Sequence, residues 1–179
     1  MTIANPMGTD GFEFVEYTAP DPTLLRTLFE QLGFPVVARH RSKNVTLHSQ
    51  NDVHFIINAE PESFAQQFAR AHGPSACAMG FRVRDAAAAF ARAVELGAKP
   101  YAGKVGPMEL NIPAIEGIGG SLLYFVDRYG DQSIYDVDFR TIPTVDPRPP
   151  ALGGMHFFGI VQYVGADRTA DWVEFYAQI

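Results

Sequence analysis

Glu13-Phe14-Val15-Glu16-Tyr17, with acidic residues set among aromatic and β-branched ones, reads as a half-buried strand. Directly after it the pattern changes to that of a helix. Leu24, Leu25, Leu28, Phe29 and Leu32 recur at helical spacing, Asp21 and Pro22 read as an N-cap followed by proline at the first helical position, and Gly33 suits the stop. Three short β-rich segments follow, near Phe34 to Arg39, Asn44 to Ser49 and Asp52 to Asn58, divided by the turn-forming Ser42-Lys43-Asn44 and Gln50-Asn51-Asp52. The order is β-α-β-β-β.

A short helix carrying Phe64, Phe68 and Ala71 leads to Gly73-Pro74, and the pattern then restarts. Ala78 to Val83 reads as a strand. Asp85 caps an alanine-rich helix with Ala89, Phe90, Ala93, Val94 and Leu96 on its apolar side, and Gly97 closes it. Later β-like segments at Val105 to Ile115 and Ser121 to Val126 make the second unit βαβββ as well. Such a repeat constrains the fold more than any single segment does. The fold class expected is α+β, with βαβββ modules at 8–60 and 74–140 paired in one domain, 1–140.

Four prolines fall within Ile142 to Pro150, a composition that resists helix and central strand, so 141–152 reads as a linker. Residues 153–179 then open a new strand-to-helix unit at Gly154-Met155-His156-Phe157-Phe158. Its amphipathic helix, Asp171 to Ile179, has no Gly, Asn or Pro to close it. The expectation is a third module begun and not finished, a fragment of something longer, whose tail is loosely held or packs on a neighbouring chain.

Composition narrows the function classes. A hydrophobic content of 47% suits a globular core, and 14 basic against 20 acidic residues, net −6, argue against nucleic-acid and acidic-membrane partners. The first residues have neither a basic nor an apolar leader, and runs such as Leu122 to Val126 are too short to span a bilayer, so a cytoplasmic protein is expected. Cys77 alone permits no intrachain disulfide and no thiolate cluster.

Candidate chemistry is sparse. Glu116-Gly117-Ile118-Gly119-Gly120-Ser121 has the glycines of a phosphate loop, but strand-like residues follow where a helix N-terminus is needed, so a tight turn is expected. His156 sits near a strand start as a possible metal ligand. His40, His48, His54 and His72 lack ligand spacing, although His48 and His54 flank a turn. Glu13, Glu16, His54 and Glu109 are the residues a metal site within the paired modules would need, and their spacing makes no convincing set. Arg39, Arg41, Lys43, Arg82 and Arg84 read as solvated positions with the alternative of an acidic-ligand pocket. Asp127-Arg128 and Asp136-Val137-Asp138 read as exposed charges. No Ser/His/Asp ordering supports nucleophilic catalysis.

Three stretches carry a resemblance: Gly11-Phe12-Glu13-Phe14-Val15-Glu16-Tyr17 with Pro20, the run from Leu110 to Tyr129, and Ser133-Ile134-Tyr135-Asp136-Val137-Asp138-Phe139. They resemble the amino-terminal half of bacterial 4-hydroxyphenylpyruvate dioxygenases, vicinal-oxygen-chelate proteins whose unit is βαβββ. The resemblance implies four modules in two open barrels, with catalysis in the carboxyl-terminal barrel and a structural, oligomer-forming amino-terminal one. It implies Fe(II) held by two histidines and one glutamate, a 2-oxo acid and dioxygen as small-molecule partners, and homogentisate as product in tyrosine catabolism. The first ligand histidine maps onto His156, whose neighbours, Met155 and Phe157, depart from the family's Ile-Asp-His-Leu. On this reading the 179 residues alone are inactive and bind iron weakly. The alternatives are a hydroxymandelate synthase-like enzyme, a non-catalytic chelate-fold binding or oligomerisation domain, and a glyoxalase-like or ring-cleaving metalloenzyme with its site inside the paired modules.

Overall fold

A computed structural model describes residues 4–179. Nine strands form one curled, unclosed sheet in the order β6-β7-β8-β5-β1-β4-β3-β2-β9. The first module contributes β1 (Phe12–Thr18), α1 (Thr23–Gln31), β2 (Val36–His40), β3 (Val45–Gln50) and β4 (Val53–Asn58). After α2 (Phe64–His72), the second contributes β5 (Ser75–Arg82), α3 (Ala86–Glu95), β6 (Pro100–Tyr101), β7 (Ala114–Glu116) and β8 (Leu122–Val126). The two halves mirror one another about an antiparallel β1–β5 pair, in which Val15 lies opposite Met79. Within each module the first strand runs parallel to the last, β1 with β4 and β5 with β8. The βαβββ repeat expected from the sequence is therefore present twice.

Local chemistry accounts for the boundaries. Asp85 caps α3 by accepting from the Ala88 amide at 2.9 Å. Asp21 accepts from the Thr23 amide at 2.9 Å, which starts α1 one residue later than its Asp-Pro signal suggests. Only Leu25 and Phe29 of α1 are buried, whereas Leu24, Leu28 and Leu32 face out, because one sheet covers only part of the helix surface. On the outer face of the sheet, Ala86, Ala89 and Ala93 of α3 let that helix sit close over Ile115, Leu123 and Phe125.

Two expectations need correction. The strand foreseen at 105–115 forms only from Ala114, since Gly103, Gly106, Pro107 and Pro113 interrupt it, and the segment crosses the open side of the sheet as a loop. Asp136-Val137-Asp138 is no exposed strand end. It belongs to α4 (Ile134–Asp138), started by a capping box between Ser133 and Asp136, and Asp138 is buried. The chain then continues into β9 (Phe139–Thr141), which pairs with β2.

The last third of the chain also differs from expectation. No strand forms at 154–158; a tight turn at Leu152–Gly154 is followed by irregular chain and α5 (Thr169–Gln178). Nor is this segment loose. Phe175, Tyr176 and Ile179 pack against the core beneath α3, Arg92 donates to the backbone carbonyls of Ile179 and Gln178, and Phe157 meets Phe12 edge-on at 5.1 Å. Gln50 ties the segment down further: its amide nitrogen donates to Gly33 O at 2.9 Å while its oxygen accepts from the Leu152 amide at 2.8 Å. Phe157, Phe175, Tyr176 and Ile179 have folded onto the nearest apolar surface, while Phe158, Val161, Tyr163 and Val173 stay exposed.

Candidate functional site

The curled sheet encloses an interior that α4 divides. At its centre Phe14, Val37, Ala38, Leu47, Ile56, Val126 and Ile134 make an apolar cluster, and the Phe14 ring lies where a side chain on Gly80 would have to go, 2.6 Å from a Cβ built there. Polar groups are thereby pushed to the two ends, each of which holds a cavity.

The smaller cavity, about 190 Å³, is lined by Glu16, Asn58, Tyr101, Tyr124, His40, Lys43 and Glu109 among apolar walls. Glu16 comes from the inner face of β1, and burial raises its carboxyl pKa above the usual range, only partly offset by the Asn58 amide donating to it at 2.7 Å. His40 is lowered, chiefly by burial, with Lys43 and Arg41 adding to the effect. The mouth is closed by charge: Lys43 Nζ pairs with Glu109 at 2.7 Å, the Ser42 hydroxyl donates to the same carboxylate, and Arg41 reaches the carbonyl of Met108 and the carboxylate of Asp138. These contacts join the β2–β3 turn to the loop across the open side, so ion pairs bridge the gap that no strand fills. Burial works to raise Glu109, but Lys43, Ser42 and the Gly106 amide outweigh it and bring the carboxyl down to about 2. A carboxyl lower in the folded than in the unfolded chain stabilises above its unfolded pKa and loses that contribution as pH falls through its folded one. Urea midpoints should therefore fall between about pH 4.5 and 2, and Glu109→Gln should flatten this part of the profile.

The larger cavity, about 790 Å³, lies at the other end and is lined by Glu13, Arg82, His54, Tyr129, Tyr135 and Arg148, among others. Arg82 Nε donates to Glu13 at 2.6 Å and its guanidinium lies 5.5 Å from the Tyr129 ring centre. Burial raises the Glu13 carboxyl, with Arg82 opposing. The Tyr135 hydroxyl donates to the Glu13 carbonyl at 3.4 Å, and its ring packs 5.2 Å from that of His54. Burial, then the charges of Arg82 and Arg148, lower His54 to about 4, and its Nδ1 lies 2.9 Å from the Ser49 hydroxyl. An imidazole held neutral contributes stability that is present above the unfolded value and lost as pH falls. Its ring resonances should accordingly report a neutral imidazole at pH 6, and titrate only near 4.

The residues singled out from the sequence are thus separated. Glu13 and His54 line one cavity, Glu16 and Glu109 the other, and among the described residues no group of three or more His, Cys, Asp or Glu converges as a metal site. These four residues therefore do not assemble into one site. His48 and His54 do not meet either: His48 points to the outer face, its Nδ1 3.0 Å from the Phe34 carbonyl and its ring edge-on to Phe29. Arg41, Lys43 and Arg82, read as solvated, are ion-paired around the interior. The glycine loop is a tight turn at Ile118–Gly120 entering β8, and Asp127 receives the Ala86 amide at 3.0 Å. Burial raises the Cys77 thiol far above its ordinary value, which leaves it unreactive. His156 is exposed, with only the Gly154 carbonyl within reach of its Nδ1, at 3.5 Å. Tyr101, Tyr124 and Tyr135 were missed by sequence reasoning, because a tyrosine in a strand or short helix carries no mark of facing a cavity.

Two βαβββ modules paired about their first strands in a mixed, open sheet define the vicinal-oxygen-chelate fold. The model of the family described as hydroxyphenylpyruvate dioxygenase, HPPD, N-terminal, matches residues 3–140, and the chain belongs to that family. It is 49% identical over 178 residues to the 4-hydroxyphenylpyruvate dioxygenase of Pseudomonas aeruginosa, covering 98% of this chain and 50% of that protein. It is 63% identical over 139 residues to hemolysin VllY of Vibrio vulnificus, covering 76% and 39% respectively. Among solved structures, a xylose isomerase-like TIM barrel/4-hydroxyphenylpyruvate dioxygenase fusion protein superposes with a TM-score of 0.81 at 36% identity, over 99% of this chain and 28% of that one. The chain spans about half the length of the dioxygenase it matches. No helix of the described residues is long and apolar enough to cross a membrane.

Proposed function

We propose that this chain is the amino-terminal barrel, with the first iron-ligand segment, of an Fe(II)-dependent dioxygenase that converts the 2-oxo acid 4-hydroxyphenylpyruvate and dioxygen to homogentisate and carbon dioxide in tyrosine catabolism. The observation that carries this is 49% identity to a 4-hydroxyphenylpyruvate dioxygenase over 98% of the chain. In this reading 1–140 is a supporting and oligomer-forming domain, 141–152 connects it, and 153–179 begins the catalytic domain, with His156 as one imidazole ligand. The residues in hand do not themselves fit an iron site, since one exposed imidazole has no carboxylate or second histidine beside it. The second histidine and the glutamate must come from the part of the relatives' length that this chain does not span. Bound iron would supply the oxidising chemistry, and the contribution of this chain is one ligand and a rigid platform. The protein is expected to be soluble and cytoplasmic.

The test compares homogentisate formation and iron content for these 179 residues and for a protein extended to the length of the dioxygenase relatives. Activity only in the longer protein supports the proposal, and a long protein that binds iron without consuming 4-hydroxyphenylpyruvate overturns it. A second reading, that the chain belongs to a fused bifunctional enzyme, is favoured by the likeness to the TIM-barrel fusion protein. The polypeptide made in the native cells would then be much longer on an immunoblot.

A further inference from the structure

The smaller interior cavity holds a largely buried acid whose side chain has a single protein hydrogen-bond partner among the described residues. Glu16 rises from the middle of β1 with 7% of its surface exposed, and one carboxylate oxygen accepts from Asn58. The other faces the cavity without a protein partner among the described residues. Lys43, paired with Glu109, makes no hydrogen bond to Glu16 among the described residues. The Tyr124 hydroxyl, also lining the cavity, makes no hydrogen bond among the described residues. That oxygen is not sealed from solvent, and the walls around it combine apolar Phe14, Val45, Ile56, Ile112 and Ile134 with polar Asn58, Tyr101 and Asn111. Water can serve it in the free protein, so a ligand that displaces that water must bring a donor of its own.

Size narrows the occupant. A cavity of about 190 Å³ is a little larger than the roughly 150 Å³ apolar cavity that takes up one benzene molecule. Aromatic rings from Phe14, Tyr101 and Tyr124 surround it, which suits a planar ring at edge or offset contact. We propose that this cavity binds a monocyclic aromatic ligand bearing one O–H or N–H donor, with its ring among Phe14, Tyr101 and Tyr124 and its donor on the free oxygen of Glu16. Entry passes the Lys43–Glu109 pair, which must part to admit the ligand. The site is separate from any iron chemistry at His156, so the two stand or fall by different measurements.

Phenol and toluene serve as the probes, titrated into the 179-residue protein at pH 7 and followed by amide chemical shifts and calorimetry. Phenol is expected to saturate at about millimolar concentration, as suits a ligand of so few atoms. Shifts should be confined to the segments that line the cavity, in β1, the end of β2 and its turn into β3, β4, β8, α4 with Phe139, and the loop at 101–112. Toluene, which lacks the donor, should bind about tenfold more weakly, as should phenol to Glu16→Gln, which presents an amide N–H in place of the acceptor. Ile112→Phe, in the loop rather than the sheet, should fill the cavity and abolish binding while leaving the fold intact, and keeps the test decisive should Glu16→Gln fold poorly. Absence of saturation by phenol, equal affinity for toluene, or undiminished binding by Ile112→Phe would overturn the proposal.

Discussion

Replacing His156 with alanine in the full-length enzyme that the proposed function requires is expected to cut homogentisate formation by more than about a hundredfold, the upper end of what loss of a mere supporting partner does, and to lower iron content in parallel. A facial triad has three protein ligands, and loss of one leaves a site that holds metal poorly and without fixed orientation. The same substitution should leave the urea midpoint of the 179-residue chain unchanged, because His156 is exposed and packs in no core cluster. That pairing of outcomes separates a ligand from a structural residue. Full activity and full iron in the His156→Ala enzyme would remove His156 from the proposal. Tight stoichiometric iron binding by the 179 residues alone would show that the metal site is built from other groups.

The largest expected effect on folding comes from Arg82→Met. Glu13 is buried, with 3% of its surface exposed, and Arg82 is its cation at 2.6 Å. Truncating one partner of such a pair strands the other charge, which costs about 3–5 kcal/mol, a large share of the roughly 5–15 kcal/mol that holds a domain together. Urea denaturation at pH 7 should show that loss. The double variant Arg82→Met/Glu13→Gln should recover most of it, since a neutral amide needs no counter-charge. Arg82 is also one of the charges that keep His54 neutral, so the His54 titration should move upward in Arg82→Met. A single variant as stable as the parent would mean that the pair is solvated and the interior wetter than its geometry implies.

Much of this architecture was legible along the chain because it rests on local periodicity. Strand composition, the helical spacing of Leu25 and Phe29, the Asp85 cap and the glycines at 33 and 97 are short-range signals, and each module repeats them. The stretch 105–113 was misread as strand because its apolar residues have the composition of one, while the prolines and glycine that break it act by removing donors and relaxing φ. The tail was misread for a different reason. His156 and Phe157 have a strand's local pattern, but a strand needs a neighbour to pair with, and among the described residues none is offered there.

The candidate site was legible only as a set of residue types. Glu13, Glu16, His54 and Glu109 could be named in advance, but not that Glu13 and His54 would lie at one end of the interior and Glu16 and Glu109 at the other. The β1 bulge between Phe12 and Phe14 contributes to this, because an extra residue changes which side chains face inward. The amino-acid sequence by itself determined the βαβββ unit, its repetition and the family resemblance, since these are carried by period, caps and turns within a few residues of one another. Only the tertiary structure decided that α4 plugs the interior, that Lys43 and Glu109 close the open side, and that Glu16 keeps one oxygen free. Those outcomes depend on contacts between residues far apart in the chain, where burial and charge pairing act through space and leave no local trace.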